Sequence, residues 1–149
     1  MRLLRRSSLP PVPPNADEAQ WSLVESLRDG QPMWVRHNLA LRDRLPAPSH
    51  PLLVSVRVAC DQDDPEQLAR LGGFETALFG ILGQEDLCWA AAVVTLGDSR
   101  WFLLYARERE ALIPRLAFLK QEFPLDFAPG IQDDPDGSVL RRLTGSPAA

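Results

Sequence analysis

The stretch from Leu87 to Arg107 constrains the fold most strongly. It contains two apolar runs, Leu87 to Thr95 and Arg100 to Arg107, joined by Leu96-Gly97-Asp98-Ser99. Each run has the length and composition of a β-strand, and the glycine-containing connection between them is typical of a hairpin. The pattern therefore predicts an antiparallel pair of strands.

Side chains along a strand point alternately to opposite faces of the sheet. Strict alternation places Trp89, Ala91, Val93 and Thr95 on one face and Cys88, Ala90, Ala92 and Val94 on the other, with Trp101, Leu103 and Tyr105 opposing Phe102 and Leu104 in the same way. Both faces are apolar, whereas an antiparallel sheet with one wet face alternates apolar and polar residues. We therefore expect the second face to be covered by the N-terminal hairpin, another subunit or a ligand.

Further elements are indicated on both sides of this hairpin. Leu52 to Cys60 reads as a strand, and Asp63-Asp64-Pro65-Glu66 has the residues of a helix start. Gly72-Gly73 interrupt that helix, as a break or as a close crossing over the sheet. A second helix is expected from Glu108 to Phe123, followed by a short strand at Leu125-Asp126-Phe127.

The order strand, helix, strand, strand, helix, strand predicts an α+β fold of the ferredoxin-like (βαββαβ) type, with two helices on one face of an antiparallel sheet. Upstream, Trp21 to Leu27 and Met33 to Leu41 flank Asp29-Gly30, a dipeptide typical of tight hairpin turns. We expect this additional N-terminal β-hairpin to extend or back the sheet.

The chain of 149 residues suits one domain. We expect a disordered proline-rich arm over 1–16, a single α+β domain over 17–130 and an acidic, turn-rich tail over 131–149. The basic start lacks an apolar run and is followed by prolines, so a signal peptide is not expected. No apolar stretch approaches the roughly 20 residues of a membrane helix. These features point to a cytoplasmic protein without membrane contact.

The charge of the chain argues against nucleic-acid binding. The formal net charge is −4, and only Lys120 among the 16 basic residues is a lysine. Abundant arginine, alanine and proline, all with GC-rich codons, indicate a compositional bias of bacterial type rather than a phosphate-binding surface.

Few residues suggest catalysis. His37 and His50 are the only histidines and lack metal-ligand spacing, and Cys60 and Cys88 form no CxxC pair. Nucleophile-elbow, phosphate-loop and dinucleotide-binding patterns are missing from the sequence. We therefore expect neither cofactor nor metal, and enzymatic activity is left open, with the balance against it.

Two groups of residues are candidates for binding. Arg36, His37 and Arg57 would line a small-ligand or enzyme site between the N-terminal hairpin and the sheet. Trp89, Trp101 and Tyr105 would form an interaction surface, or simply pack in the core. The leading hypothesis is a non-catalytic protein-binding or regulatory module, with a small-ligand binder or enzyme as the alternative. The partner would be another protein or a second copy of the chain.

Several short motifs occur in an order that resembles a known family. They are Trp21 with Gly30-Gln31-Pro32, Arg36-x-Asn38, His50-Pro51-Leu52, Arg57, Pro65-Glu-Gln-Leu, Phe74-Glu75 and Arg100-Trp-Phe-Leu-Leu-Tyr105-Ala. Over about residues 20–128 the chain resembles the bacterial family catalogued as domain of unknown function number 695.

That family is similar in turn to the regulator of ribonuclease E activity B, an acidic protein that inhibits an RNA-degrading enzyme by binding it. The resemblance implies a ferredoxin-like α+β fold and a protein-binding role. Near the end of the chain, Asp134-Pro-Asp-Gly-Ser-Val-Leu resembles the family's closing Asp-Pro-Glu-Trp-Ser-x-Tyr pattern, with Gly137 and Leu140 in place of its aromatic residues.

Overall fold

The computed structural model describes residues 21–42 and 44–145, so the predicted arm over 1–16 lies outside the described residues. A 3₁₀ turn at Gln84–Asp86 precedes the strand that begins at Cys88. The strands and helices, in chain order, are β1 (Trp21–Arg28), β2 (Gln31–Asn38), α1 (Leu39–Arg42), β3 (Leu52–Ala59), α2 (Pro65–Leu82), β4 (Cys88–Leu96), β5 (Ser99–Ala106), α3 (Leu112–Glu122), β6 (Phe127–Asp133) and α4 (Ser138–Leu143).

The six strands form one sheet in the order β1-β2-β4-β5-β3-β6, and every neighbouring pair is antiparallel. The predicted α+β class and antiparallel sheet are confirmed. The sheet is wider than the four-stranded unit expected from residue 52 onward, because β2 pairs with β4. The N-terminal hairpin therefore extends the sheet and does not back it.

The hairpin between β1 and β2 turns at Asp29-Gly30, as predicted. Asp29 has φ of 51° and Gly30 has φ of 83°, so both central residues are left-handed. Two consecutive left-handed residues match the right-handed twist of the flanking strands. The register that follows pairs Arg28 with Gln31 and Trp21 with Asn38.

Helix α2 begins where its capping residues predict. The carboxylate of Asp64 accepts hydrogen bonds from the backbone N–H groups of Glu66 and Gln67, and Pro65 occupies the first turn. The expectation for Gly72-Gly73 was wrong, because α2 runs unbroken through both residues. A Cβ at either position would meet nothing within 4 Å, so no close crossing requires glycine there.

Helices α2 and α3 pack on one face of the sheet, as predicted. Helix α3 begins at Leu112 rather than Glu108 and buries Leu112, Leu116 and Leu119. Phe74 of α2 lies edge-on to Phe102 of β5, with ring centroids 5.7 Å apart. This face holds the larger of the two apolar clusters.

A β-bulge between Ala90 and Ala92 changes the predicted faces of β4. Strict alternation grouped Val93 with Trp89, but the extra residue shifts the later part of the strand by one. Val93 packs with α2 and α3, whereas Trp89 and Val94 pack on the opposite face. The alternation in β5, which has no bulge, is correct.

The chain itself covers much of the second face. Helix α1, the segment over 44–50 and helix α4 contribute Leu41, Ala47 and Leu140 to a second buried cluster with Tyr105. None of the three expected covers provides this packing. Residues 131–143, expected in a turn-rich tail, form the end of β6 and helix α4. This segment is ordered because its apolar side chains, including Leu140, pack into the second cluster.

Candidate functional site

The structure does not bring Arg36, His37 and Arg57 together. Arg36 and His37 are consecutive on β2 and therefore point to opposite faces of the sheet. Arg57 is on β3, which is separated from β2 by β4 and β5. The predicted ligand site between the hairpin and the sheet is thus not assembled from these three side chains.

Arg36 has a structural partner. Its guanidinium donates a 2.6 Å hydrogen bond to a carboxylate oxygen of Glu75 on α2 and lies 5.2 Å from the ring centroid of Trp21. These contacts tie the first hairpin to the helix layer. The Trp21 ring also stacks on Phe79, so the start of β1 joins the core of the α2–α3 face.

His37 is buried on the other face, beside α1. Its Nδ1 is buried and has no hydrogen-bond partner among the described residues. Burial lowers the pKa of His37, and the positive charge of Arg42 lowers it further. A neutral imidazole is therefore the expected form at physiological pH.

The three predicted interaction residues share the α4 face, but two of them belong to the core. Trp89 and Tyr105 are buried, whereas Trp101 is half-buried. Tyr105 donates a 2.6 Å hydrogen bond to Asp134. Burial raises the pKa of Tyr105 strongly, and its hydrogen bond to Asp134 adds to the rise. Only Trp101 retains access to a ligand or partner.

Trp89 belongs to a polar cluster below α1. Its ring stacks on His50 at 3.7 Å between centroids, and its indole N–H donates to Asp86 at 2.7 Å. The Nε2 of His50 lies 2.9 Å from the backbone carbonyl oxygen of Asp86 and must donate, because a carbonyl only accepts. In the neutral ring, Nδ1 then accepts from the Ser49 hydroxyl at 2.8 Å.

The open edge of β1 was missed by the sequence analysis. Leu23 and Leu27 on this strand are 65% and 74% exposed. Both lie on the α2 face, separated by Glu25. Within the described residues no strand pairs with the outer edge of β1. The sequence signal for this edge is a strand face on which Leu23 and Leu27 are separated by Glu25. A half-buried strand can have the same pattern, so the sequence did not distinguish the two.

The two edges of the sheet differ in protection. The strand β6 carries Pro129, paired with Val56, and proline lacks the N–H that an added strand would need. The strand β1 contains neither proline nor lysine, and its charged residues are Glu25 and Arg28. A hollow of about 250 Å³ on the α2 face reaches β1 at Leu23, and the rest of its lining, including Trp34 and Val93, comes mainly from β2, β4 and β5.

The described residues provide little for covalent or metal chemistry. They contain no group of three or more histidine, cysteine, aspartate or glutamate residues placed to hold a metal ion. Cys60 and Cys88 are free and buried, and burial raises the pKa of Cys88 to about 12. Such a thiol is almost fully protonated at neutral pH and is a poor nucleophile.

No family model, no curated protein and no solved structure matches the chain. No helix in the described part of the chain has both the length and the apolarity needed to cross a bilayer.

Proposed function

We propose that this protein is a non-catalytic binding module that takes up an extended segment of a partner protein along the outer edge of β1. The observation that carries the proposal is an edge strand that pairs with no other described strand on its outer side and that carries the exposed leucines Leu23 and Leu27. In strand addition, backbone hydrogen bonds supply affinity and alternate side chains supply specificity. The hollow beside Leu23 and Trp34 offers a place for one partner side chain.

The residues of β1 determine what the partner strand presents. In an antiparallel pair, directly opposed side chains lie on the same face and interact. Opposite Leu23, Glu25 and Leu27, the favourable sequence is apolar, basic, apolar. Glu25 is exposed and forms no ion pair with a described residue, so its charge is available to a basic partner side chain.

A second copy of the chain fits this edge less well. In a twofold antiparallel pairing within β1, Glu25 faces Trp21, Leu23, Glu25 or Leu27 of the other copy, because opposed residues must share a face. Arg28 lies on the opposite face and cannot neutralise it directly. We therefore favour a different protein as the partner over a homodimer.

The finer description of the fold belongs to the same proposal. We infer a ferredoxin-like unit made of β3 to β6 with α2 and α3, to which the β1–β2 hairpin is added. Its support is the order β4-β5-β3-β6 with antiparallel neighbours and both helices on one face. The full six-stranded order differs from the four-stranded form by that addition.

We also propose distant membership in domain of unknown function family 695 and a place in the bacterial cytoplasm. The support for membership is the order of the short motifs along residues 20–128. A regulatory role through protein binding would agree with what that resemblance implies.

The test uses the peptide Thr-Val-Thr-Lys-Thr-Val-Thr and a matched peptide with glutamate at the centre. Binding to the full chain is measured by fluorescence anisotropy, and amide hydrogen exchange locates the site. We expect the lysine peptide to protect amides of β1 and to bind about tenfold more tightly than the glutamate peptide, a difference of about 1.4 kcal/mol. The variant Glu25→Lys should reverse the preference.

The double variant Leu23→Gln, Leu27→Gln should weaken binding of the lysine peptide by about tenfold, because apolar contacts are lost. The matched control is Ile113→Gln, which removes a side chain that is 57% exposed on α3. Protection at β6 instead of β1, or an unchanged peptide preference in Glu25→Lys, would contradict the proposal. A concentration-dependent dimer that protects β1 would show self-association instead.

A further inference from the structure

A second opening lies on the other face of the sheet, beside α4. This α4 pocket has a volume of about 390 Å³, and its apolar lining includes Met33, Val94, Leu96, Trp101, Val139 and Leu143. Small-molecule sites are typically apolar clefts of about 300–1,000 Å³ with few polar groups. The α4 pocket falls within this range.

The pocket exists because α4 is short. Helix α4 has six residues and extends for about 9 Å, whereas a strand of eight residues spans about 27 Å. Leu140 covers the middle of the sheet next to Leu41 and Tyr105, and the half of the face nearer the Asp29-Gly30 turn remains open. The pocket is thus the uncovered remainder of the second face.

The start of α4 is held firmly, which keeps the pocket in place. The carboxylate of Asp134 accepts hydrogen bonds from the backbone N–H groups of Ser138 and Val139 and from the Ser138 hydroxyl. Gly137 has φ of 66°, and a Cβ there would lie 2.6 Å from the side chain of Leu45. Helix α4 therefore has little freedom to close the pocket from this end.

The polar side chains that line the α4 pocket favour a ligand with a negative charge. The lining includes Arg28, Ser55 and Gln132 and no carboxylate among the described residues. The guanidinium of Arg57 lies 5.7 Å from the ring centroid of Trp101 but lines a different opening, together with Asp98 and Asp126. In a chain with a net charge of −4, the described lining of the α4 pocket thus carries an arginine and no acid.

We infer that the α4 pocket binds a small carboxylic acid with an apolar body. The body lies against Trp101 and Leu143, and the carboxylate accepts hydrogen bonds from Arg28, since charge-assisted bonds to guanidinium groups are the strong ones. The site differs from the β1 edge used in the proposed function. Arg28 is on β1, but its side chain lies on the α4 face, away from Leu23 and Leu27.

The experiment titrates the full chain with octanoate, octanol and octylammonium, which share an apolar chain and differ in the head group. Binding is followed by two-dimensional NMR, with the indole N–H signal of Trp101 assigned through Trp101→Phe. We expect saturable shifts at Trp101, Leu96 and Leu143. Octanoate should bind about tenfold more tightly than octylammonium, as expected for a carboxylate near an arginine.

Substitutions distinguish the contribution of the head group to binding from that of the apolar body. Arg28→Gln should reduce the preference for octanoate by about fivefold, and Leu143→Gln should weaken the binding of all three ligands. Arg70→Gln, an exposed arginine on α2, is the charge-matched control and should change nothing. Equal binding of octanoate and octylammonium, or shifts that avoid the pocket, would overturn the inference. The variant Leu23→Gln should leave octanoate binding in the α4 pocket unchanged even where binding of the peptide to β1 fails.

Discussion

Tyr105 and Asp134 form a buried 2.6 Å hydrogen bond that joins the centre of the sheet to the start of α4. Burial raises the pKa of Asp134, but hydrogen bonds from Tyr105, Ser138 and the backbone of Val139 lower it by more, so the net pKa is lowered. One carboxylate therefore attaches α4 to β5 and caps its first turn. The packing of the second face depends on this contact.

Tyr105→Phe tests that dependence. The substitution leaves one oxygen of a buried carboxylate without its phenol donor, and hydrogen bonds to charged groups contribute about 1.5–3 kcal/mol. We expect a loss of that size in the free energy of unfolding, measured by urea denaturation, with faster hydrogen exchange in α4. Ser138→Ala, which removes a half-buried donor from the same carboxylate, should cost less. Unchanged stability in Tyr105→Phe would contradict this assignment.

The two histidines predict a loss of stability on acidification. Burial lowers the pKa of both His37 and His50 in the folded protein. Between the folded pKa and the unfolded value of about 6.5, the unfolded chain binds more protons, so the free energy of unfolding rises with pH. Their contribution is complete above about pH 6.5 and is lost as pH falls through the folded pKa.

Urea unfolding at steps between pH 7.5 and about pH 5 measures this slope. We expect the double variant His37→Gln, His50→Gln to show a shallower slope than the natural chain. A matching NMR titration should find both imidazoles titrating below about pH 6.5. Imidazoles that titrate at or above that value would remove the basis for the prediction.

Two glycine substitutions should have opposite effects. Gly30 has φ of 83° in the hairpin turn, so Gly30→Ala should cost about 1–2 kcal/mol of folding free energy. Gly72 lies inside α2 with open space around its Cα, so Gly72→Ala should stabilise by up to about 1 kcal/mol. Thermal and urea unfolding measure both changes. A destabilising Gly72→Ala would mean that α2 needs glycine for a reason absent from this structure.

The thiols should be inert in the folded protein. Cys60 and Cys88 are buried, and the pKa of Cys88 is raised to about 12. Because the thiolate is the reactive form, we expect a disulfide reagent to modify both cysteines at least about 100-fold more slowly in the native chain than in urea. Rapid native modification of Cys88 would show an accessible, ionised thiol and reopen a nucleophilic role for it.

Local patterns were sufficient for most elements of the fold. Asp29-Gly30 specifies a turn with two left-handed residues, and Asp64 with Pro65 specifies the start of α2, because these effects act between near neighbours. The apolar runs around Gly97 predicted the central hairpin for the same reason. Alternation in β5 correctly predicted that Trp101, Leu103 and Tyr105 share a face.

Long-range packing decided what the local patterns could not. The bulge at Ala90 to Ala92 moves the later side chains of β4 to the opposite face from the one predicted. No residue type within this run of alanines indicates a bulge. Arg36 and His37 looked like one site by proximity in the chain, but consecutive strand residues point to opposite faces. Arg36 binds Glu75 of the distant helix α2, whereas His37 is buried on the other face.

The candidate binding surfaces depend on the tertiary structure. The sequence by itself determined that Leu87 to Arg107 must be covered on both faces, because burial of apolar surface requires it. Only the tertiary structure decided that α1 and α4 provide the cover, that α4 is too short to complete it, and that β1 lies at an open edge. Those outcomes depend on which distant segments contact each other. The free energy of such a contact depends on both segments, so neither segment alone determines it.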